Sequence, residues 1–162
     1  MPPLTNSILR RGAMALGLFA GALTATGALA GECPKDKVLA KPQEIRDAPD
    51  VGIDREILST VKLHGWRKAE HLELRMRRLV VAVDGIVPTH DHDDWPSIVY
   101  VAKGEIIEHS AFCAVPILHR EGEWSPEFGA GHKHWWENRS GQEVVLISTD
   151  VVPSEMIDDP HM

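Results

Sequence analysis

From Arg67 onward the chain is a succession of short apolar segments separated by turn residues, and this pattern limits the fold more than any other feature. Leu72, Leu74 and Met76 alternate with charged residues, which is typical of a strand with one buried face. No long stretch after Arg67 has helical periodicity. Many short strands joined by regular turns predict a β-sandwich or a closed β-barrel, because either arrangement hides strand edges.

The later segments extend the same pattern. Asp84-Gly85 is a turn signal, and Lys103-Gly104 is expected to form a tight turn that makes the flanking strands hairpin partners. Residues 53–66 fit either a strand or a short helix. Further strands are expected at 79–83, 98–101, 105–109, 115–119, 132–136 and 143–151.

Residues 1–30 form a distinct segment without Asp or Glu. Arg10 and Arg11 precede an apolar stretch that ends in Ala28-Leu29-Ala30. This order is typical of a secretory signal peptide cleaved after Ala30, and a membrane-spanning anchor is the alternative. The two arginines also raise a twin-arginine route, although their context fits an ordinary export signal better. We therefore expect a periplasmic or secreted protein with no stable membrane anchor.

The rest of the chain is long enough for one domain with one core. We predict an N-terminal arm and the start of the barrel over residues 31–66, the barrel over 67–152 and a C-terminal tail over 153–162. The whole sequence has 17 basic and 24 acidic residues, a net charge of −7. Because binding to phosphates or to an anionic membrane needs clustered cations, neither nucleic acid nor such a membrane is an expected partner.

The two cysteines, Cys33 and Cys113, are compatible with a disulfide that ties the arm to the barrel in an oxidising compartment. Two unpaired thiols are the alternative, since the sequence does not show whether the two Cα atoms come within bridging distance. The even count and the expected export favour the disulfide.

Nine histidines stand out in this sequence, and four of them form two His-x-His pairs. The first pair is His90 and His92, and the second is His132 and His134. In a strand, residues i and i+2 point to the same face, so a pair can present two imidazoles to one metal ion. The separation between the pairs allows distant strands to bring them together across a barrel.

The first pair lies in a motif that resembles one of the cupin superfamily, in which a glycine is followed by His-x-His, a glutamate and a second glycine. The matching residues are Gly85, His90, His92 and Gly104. Ser97 stands where the family usually has glutamate, and the spacer between Gly85 and His90 is one residue shorter than usual.

The second family motif is matched by Gly131, His134 and Asn138, with Gly129 in place of a proline. The resemblance covers residues 72–152 and implies an all-β cupin (jelly-roll) barrel of two facing antiparallel sheets. It also implies that the chain forms a homodimer.

By the same resemblance, the metal ligands are His90, His92 and His134. Three neutral imidazoles suit a divalent ion of Fe, Mn, Zn, Cu or Ni, and they leave positions open for water or substrate. Asp93 or Asp94 could replace the missing carboxylate, and Ser97 could bond a metal-bound water. The alternative is a metal-free barrel whose histidines line a ligand pocket.

The implied function is an exported metal-dependent oxidoreductase, dioxygenase-like, that acts on a small organic molecule. A non-catalytic module that binds a small ligand or a metal is the alternative. No nucleophile–base pair is visible, so no catalytic residue beyond the ligands is predicted. His132 could support the ligands or carry protons, and His109 and His119 could line the cavity. Aromatic side chains are expected to wall the cavity, and three glutamates are expected on solvated hairpin ends: Glu108, Glu121 and Glu123.

Overall fold

The computed structural model describes residues 31–159, and within that range the regular structure is almost entirely β. A single turn of 3-10 helix follows the last strand, at Ser154–Met156. This part of the chain has no helix with the length and hydropathy needed to cross a membrane. The strands are β1 (Val51–Lys62), β2 (Leu72–Asp91), β3 (Ser97–Lys103), β4 (Glu105–Ser110), β5 (Ile117–Arg120), β6 (Trp124–Glu127), β7 (Lys133–Glu137) and β8 (Val144–Pro153).

All strand pairs are antiparallel, and the order across the sheet is β5-β4-β7-β2-β8-β3-β6, with β1 added to β2 outside this path. The sheet curls into a nearly closed barrel, so the predicted all-β barrel is confirmed. Side chains from the inner faces of several strands form one core. Its buried members are Leu79, Val81, Val87, Val101, Ile106, Trp136, Val144 and Leu146.

Strand β2 is longer than the sequence predicted, because Asp84-Gly85 does not reverse the chain. The strand pairs with β8 as far as Val81 and with β7 from Ile86 onward. Asp84 has a φ of 59°, in the left-handed region that Asp tolerates better than most residues. The turn signal therefore marks a bend between two pairings of one strand.

The expected hairpin around Lys103-Gly104 is also wrong. Strand β3 pairs with β6 and β8, whereas β4 pairs with β5 and β7. Gly104 has a φ of 84°, so the connection is tight, but it is a corner at which the chain changes neighbours.

Two further segments concern strands β1 and β6. The structure settles an open alternative for the first and adds a strand that was not predicted for the second. Residues 53–66, which fitted a strand or a helix, contribute most of β1. Strand β6 was not predicted, because it has four residues and contains Pro126, which cannot donate to a sheet.

The arm and the start of the tail are both fastened to the barrel. Cys33 and Cys113 form the disulfide, with Cα atoms 5.8 Å apart, and Gln43 Nε2 donates to the Cys113 carbonyl at 2.8 Å. At the other end, Arg75 Nη1 donates to the Ile157 carbonyl at 2.7 Å. Both chain ends of the described range therefore pack against the sheet.

Candidate metal centre

The two histidine motifs meet where β2 and β7 pair. His90 lies directly opposite His134 in the register of these strands, and His92 follows the last residue of β2. The Nε2 atom of His134 lies 3.1 Å from the Nε2 atom of His90 and 3.1 Å from that of His92. His92 and His134 are buried, and the three rings form a group of metal-binding size. The structure thus brings all three predicted ligands together.

The outer nitrogen of each ring is held by an acceptor. His90 Nδ1 contacts the Pro88 carbonyl at 2.8 Å, and His92 Nδ1 contacts the Trp95 carbonyl at 2.9 Å. A carbonyl oxygen can only accept, so each of these nitrogens carries the proton. The Nε2 lone pairs then face inward, which is the tautomer that a metal-binding histidine needs.

Converging lone pairs repel one another unless a cation lies between them. Burial lowers the pKa of His90 well below its usual range, and the neighbouring His134 and His92 lower it further. Burial also disfavours the charged form of His134, but Glu127 and Glu108 outweigh it and raise the pKa of that ring. The two carboxylates therefore favour a positive charge at the centre, beside His134. The three inward-facing imidazole nitrogens are donors that fit a divalent metal ion.

Glu127, on β6, places a carboxylate beside two of the three histidines. It pairs directly with Ser97 across β3 and β6, so it comes from the strand next to the expected position. Its Oε2 atom lies 3.1 Å from His92 Nε2 and 3.8 Å from His134 Nε2. Glu127 is only 2% exposed, and its Oε1 atom has no hydrogen-bond partner within residues 31–159.

Sequence reasoning missed Glu127 because nothing local links it to the histidines. Its one signal is an acidic residue in a short segment just ahead of the second motif. Asp93 does not take this role, since it is exposed and accepts a hydrogen bond from the Gly131 amide at 2.7 Å. Asp94 is exposed as well.

Glu108 was expected on a solvated hairpin end, and this expectation is wrong. It is 3% exposed, because β4 alternates and turns Glu108 to the inside with Ile106. Its Oε1 atom lies 2.9 Å from His134 Nδ1, and its Oε2 atom lies 2.8 Å from His119 Nε2. Burial alone would raise the pKa of Glu108, but the bonds from His119 and His134 outweigh it and lower the pKa. Glu108 thus fixes the His134 ring with Nε2 facing the centre.

The remaining predicted histidines surround the centre without joining the trio. The ring of His132 lies 5.2 Å from that of His134, and His132 forms a second group of metal-binding size with Glu108 and His134. His109 stacks on Trp135 at 3.9 Å on the other side of the strand. Neither His109 nor the buried His119 lines the cavity beside the centre.

That cavity is open at its mouth and has a volume of about 40 Å³. Trp136 forms part of its wall, which agrees with the expected aromatic lining. The other lining residues are Arg55, Arg77, Leu79, Val87, Pro88, His90, His92, Ser97, Val99, Glu127, Leu146 and Ser148. His90, His92 and Glu127 therefore face a small cavity that opens to solvent.

No family model matches this chain, and no curated protein matches it. Solved structures with a similar fold include KdgF from a Halomonas species, at 17% identity and a TM-score of 0.48 over 68% of this chain and 91% of that chain. A Cupin 2 conserved barrel domain protein from Salinispora arenicola has 17% identity and a TM-score of 0.47. The match covers 72% of this chain and 93% of that chain. A Bacillus halodurans protein has 13% identity and a TM-score of 0.46, and this chain spans 64% of its length and matches over 50% of its own.

These likenesses are distant, and the assignment depends on the architecture itself. The antiparallel barrel, the His-x-His pair at the end of β2 and its register with His134 on β7 form the arrangement implied by the sequence motifs. The chain therefore folds as the antiparallel β-barrel that its resemblance to the cupin superfamily implies.

Proposed function

We propose that the protein is a divalent-metal-dependent oxidoreductase, dioxygenase-like, that acts on a small organic molecule bound in the barrel. The observation that carries this proposal is the convergence of three inward-facing Nε2 atoms, two of which belong to the cavity-lining residues His90 and His92. An ion held there would supply Lewis-acid and redox chemistry to a bound molecule.

The proposed ligands are the Nε2 atoms of His90, His92 and His134 together with the carboxylate of Glu127. A set of three imidazoles and one carboxylate suits Fe, Mn, Zn, Cu or Ni. Glu127 also offsets one positive charge of a divalent ion, which three neutral histidines alone would leave uncompensated. The carboxyl of Glu108 holds His134 in place, and the apolar wall limits water around the bound molecule.

A non-catalytic binding module is the second candidate, and one observation favours it. Apart from the proposed ligands, the ionisable groups that line the cavity are Arg55 and Arg77. A guanidinium does not exchange protons readily near neutral pH, so residues 31–159 contribute no separate acid or base to the cavity wall. The oxidoreductase and the binding module can be distinguished by measuring oxygen uptake by the metal-loaded protein with a panel of small acids, phenols and alcohols. Turnover supports the oxidoreductase, whereas tight ligand binding without turnover supports the module.

The metal site itself is tested by the metal content of the full chain, purified without chelators. We expect His134→Ala to lose the metal, because only two histidines would remain, and His132→Ala to weaken binding less. His64→Ala is the control, since His64 is exposed and away from both motifs. Loss of metal in His132→Ala but not in His134→Ala would show that His132 is the ligand. Unchanged metal content in both variants would overturn the metal site.

We also propose that the protein is exported, to the periplasm or the medium. The signal peptide and its cleavage after Ala30 concern residues outside the described range. The disulfide between Cys33 and Cys113 supports export, since such bonds persist mainly in oxidising compartments. Mass spectrometry of the protein from the extracytoplasmic fraction should find a chain that starts at Gly31. Retention of residues 1–30 there would contradict cleavage.

A homodimer is proposed as the assembled form. Strand β1 is a 12-residue strand with mostly exposed side chains, among them Ile57, Leu58 and Val61. An exposed strand that pairs only with β2 in the described structure offers a second copy an edge and an apolar face. Light scattering should give twice the chain mass, and a monomer at every workable concentration would refute the dimer.

A further inference from the structure

Two arginines line the same cavity as His90, His92 and Glu127. Arg77 comes from the inner face of β2, and Arg55 comes from β1. Arg77 is only 7% exposed. A buried cation in a ligand cavity costs free energy unless it is fully paired, so its partners decide what the cavity can bind.

The pairing of Arg77 is incomplete. Its Nη2 atom donates to Asp150 Oδ2 at 2.9 Å, but Arg75 Nη2 donates to that same oxygen at 2.8 Å, and Arg75 Nε donates to Asp150 Oδ1 at 3.1 Å. One carboxylate thus serves two guanidinium groups. The Nε atom of Arg77 is buried and has no hydrogen-bond partner among residues 31–159.

Arg77 nevertheless stays charged. Burial lowers its pKa to about 10, Asp150 opposes this shift, and the nearby Arg75 and Arg55 add to it. Asp159 acts weakly in the opposite direction. A group with this pKa is protonated at neutral pH, so Arg77 brings a positive charge to the cavity that it lines, and this charge can attract an anion.

The space beside Arg77 is apolar. Leu79, Val87, Leu146 and Trp136 line the cavity together with Arg77, and the histidine rings complete it. A cation, an aromatic wall and a metal-binding corner in one chamber favour a ligand with one anionic group and an apolar body.

We propose that this cavity binds a small organic carboxylate, with its carboxyl group paired to Arg77 and its apolar part against Trp136 and the aliphatic wall. The inference deepens the proposed function by naming the class of molecule. It depends on that function only for the metal beside the ligand, because the anion site consists of residues that are not metal ligands.

Benzoate and benzamide are matched probes, since they share shape and differ in charge. Isothermal titration of the full chain at pH 7, with and without loaded metal, should give roughly tenfold or tighter binding of benzoate than of benzamide in both forms. Equal affinities for the two, or no benzoate binding in either form, would overturn the proposal.

Arg77→Gln should reduce benzoate affinity roughly tenfold or more and leave benzamide affinity unchanged. Arg78→Gln is the control, because Arg78 is the next residue on β2, points outward and pairs with Glu56. Arg55→Gln is a second variant in case loss of Arg77 impairs folding. Arg55 lines the same cavity and pairs with Asp50 at 2.7 Å, and its replacement removes one positive charge from the cavity and should weaken benzoate binding selectively. Retention of the acid preference in both Arg77→Gln and Arg55→Gln would refute the site.

Metal content is measured on the same samples. An acid preference that depends on Arg77 in a protein that never takes up metal would uphold the anion site and overturn the metal-dependent function. A metal-loaded protein without any acid preference would overturn the anion site and leave the metal-dependent function standing.

Discussion

Glu127 is the single residue outside the histidine motifs from which the largest effect on metal affinity is expected. Its carboxylate lies 3.1 Å from His92 Nε2, whereas glutamine would present a neutral oxygen or a competing N–H there. Glu127→Gln should therefore weaken metal binding roughly tenfold or more in competition with a chelator. Glu121→Gln, at an exposed position, should bind metal as the wild type does. Equal affinities in both variants would exclude Glu127 as a ligand.

Glu137 gives the fold a pH dependence on the outer face of β7. Burial alone would raise the pKa of Glu137, but hydrogen bonds from His109 and Arg139 outweigh it and lower the pKa below its usual 4.5. A carboxylate with a lowered folded-state pKa stabilises the fold above its unfolded pKa, and this contribution is lost as the pH falls through the folded pKa.

Glu137→Gln should therefore lower the free energy of unfolding at pH 7 by about 0.5–1 kcal/mol. Its difference from the wild type should shrink as the pH is lowered through 4.5 and below. Urea unfolding over a pH series measures this, with the exposed Glu143→Gln as a control. A difference that stays constant with pH would contradict the assignment.

Among single residues, the sequence predicted those proposed ligands that belong to a recognisable motif. His90 and His92 are two residues apart at the end of β2, and His134 has its own motif spacing. Glu127 and Glu108 reach the site through the register of β6 and β4 with their neighbours, which no spacing along the chain encodes. Their burial follows from that register, so sequence reasoning placed Glu108 in solvent.

Among the elements, β2 is the one whose bend positions the site, and Gly85 makes the bend possible. A Cβ atom at Gly85 would lie 2.8 Å from the Ala82 carbonyl oxygen and 3.1 Å from that of Val51. Backbone atoms cannot move aside cheaply, so Gly85→Ala should lower the free energy of unfolding by about 1–3 kcal/mol. Denaturant unfolding measures this, and Val83→Ala is an exposed control on the same strand. Equal stabilities would show that the close approach is relieved at no cost.

The sequence predicted most strands but not how they pair. Alternation and turn residues are local signals, so β5, β7 and β8 lie close to their expected positions. The tight corner at Gly104 looks like a hairpin from sequence alone, since its φ of 84° is what such a turn requires. Strands β3 and β4 go to different neighbours because barrel closure decides their partners, and closure depends on contacts far apart in the chain.

For the whole molecule, the disulfide is the constraint with the longest reach. It joins cysteines 80 residues apart, and closing a loop of that size restricts the unfolded chain strongly. Replacing Cys33 and Cys113 together by alanine should lower the free energy of unfolding by about 4 kcal/mol. Metal content should remain, because neither cysteine belongs to the histidine centre. Denaturant unfolding of the double variant, compared with reduced wild-type protein, tests this, and equal stability of variant and oxidised wild type would contradict it.

The same crosslink also determines how the molecule would respond to mechanical force. When the chain is pulled from its two ends, tension passes from Cys33 to Cys113 through the sulfur atoms, and strands β1–β4 lie inside the bypassed loop. These strands can unfold, but the closed loop keeps them from being extended by the applied force. In an optical trap, reducing the bond should lengthen the fully extended chain by roughly 270 Å, at about 3.3–3.6 Å for each of the 80 residues in the loop. An unfolding protease that pulls from the carboxyl end would meet a covalent stop at Cys113.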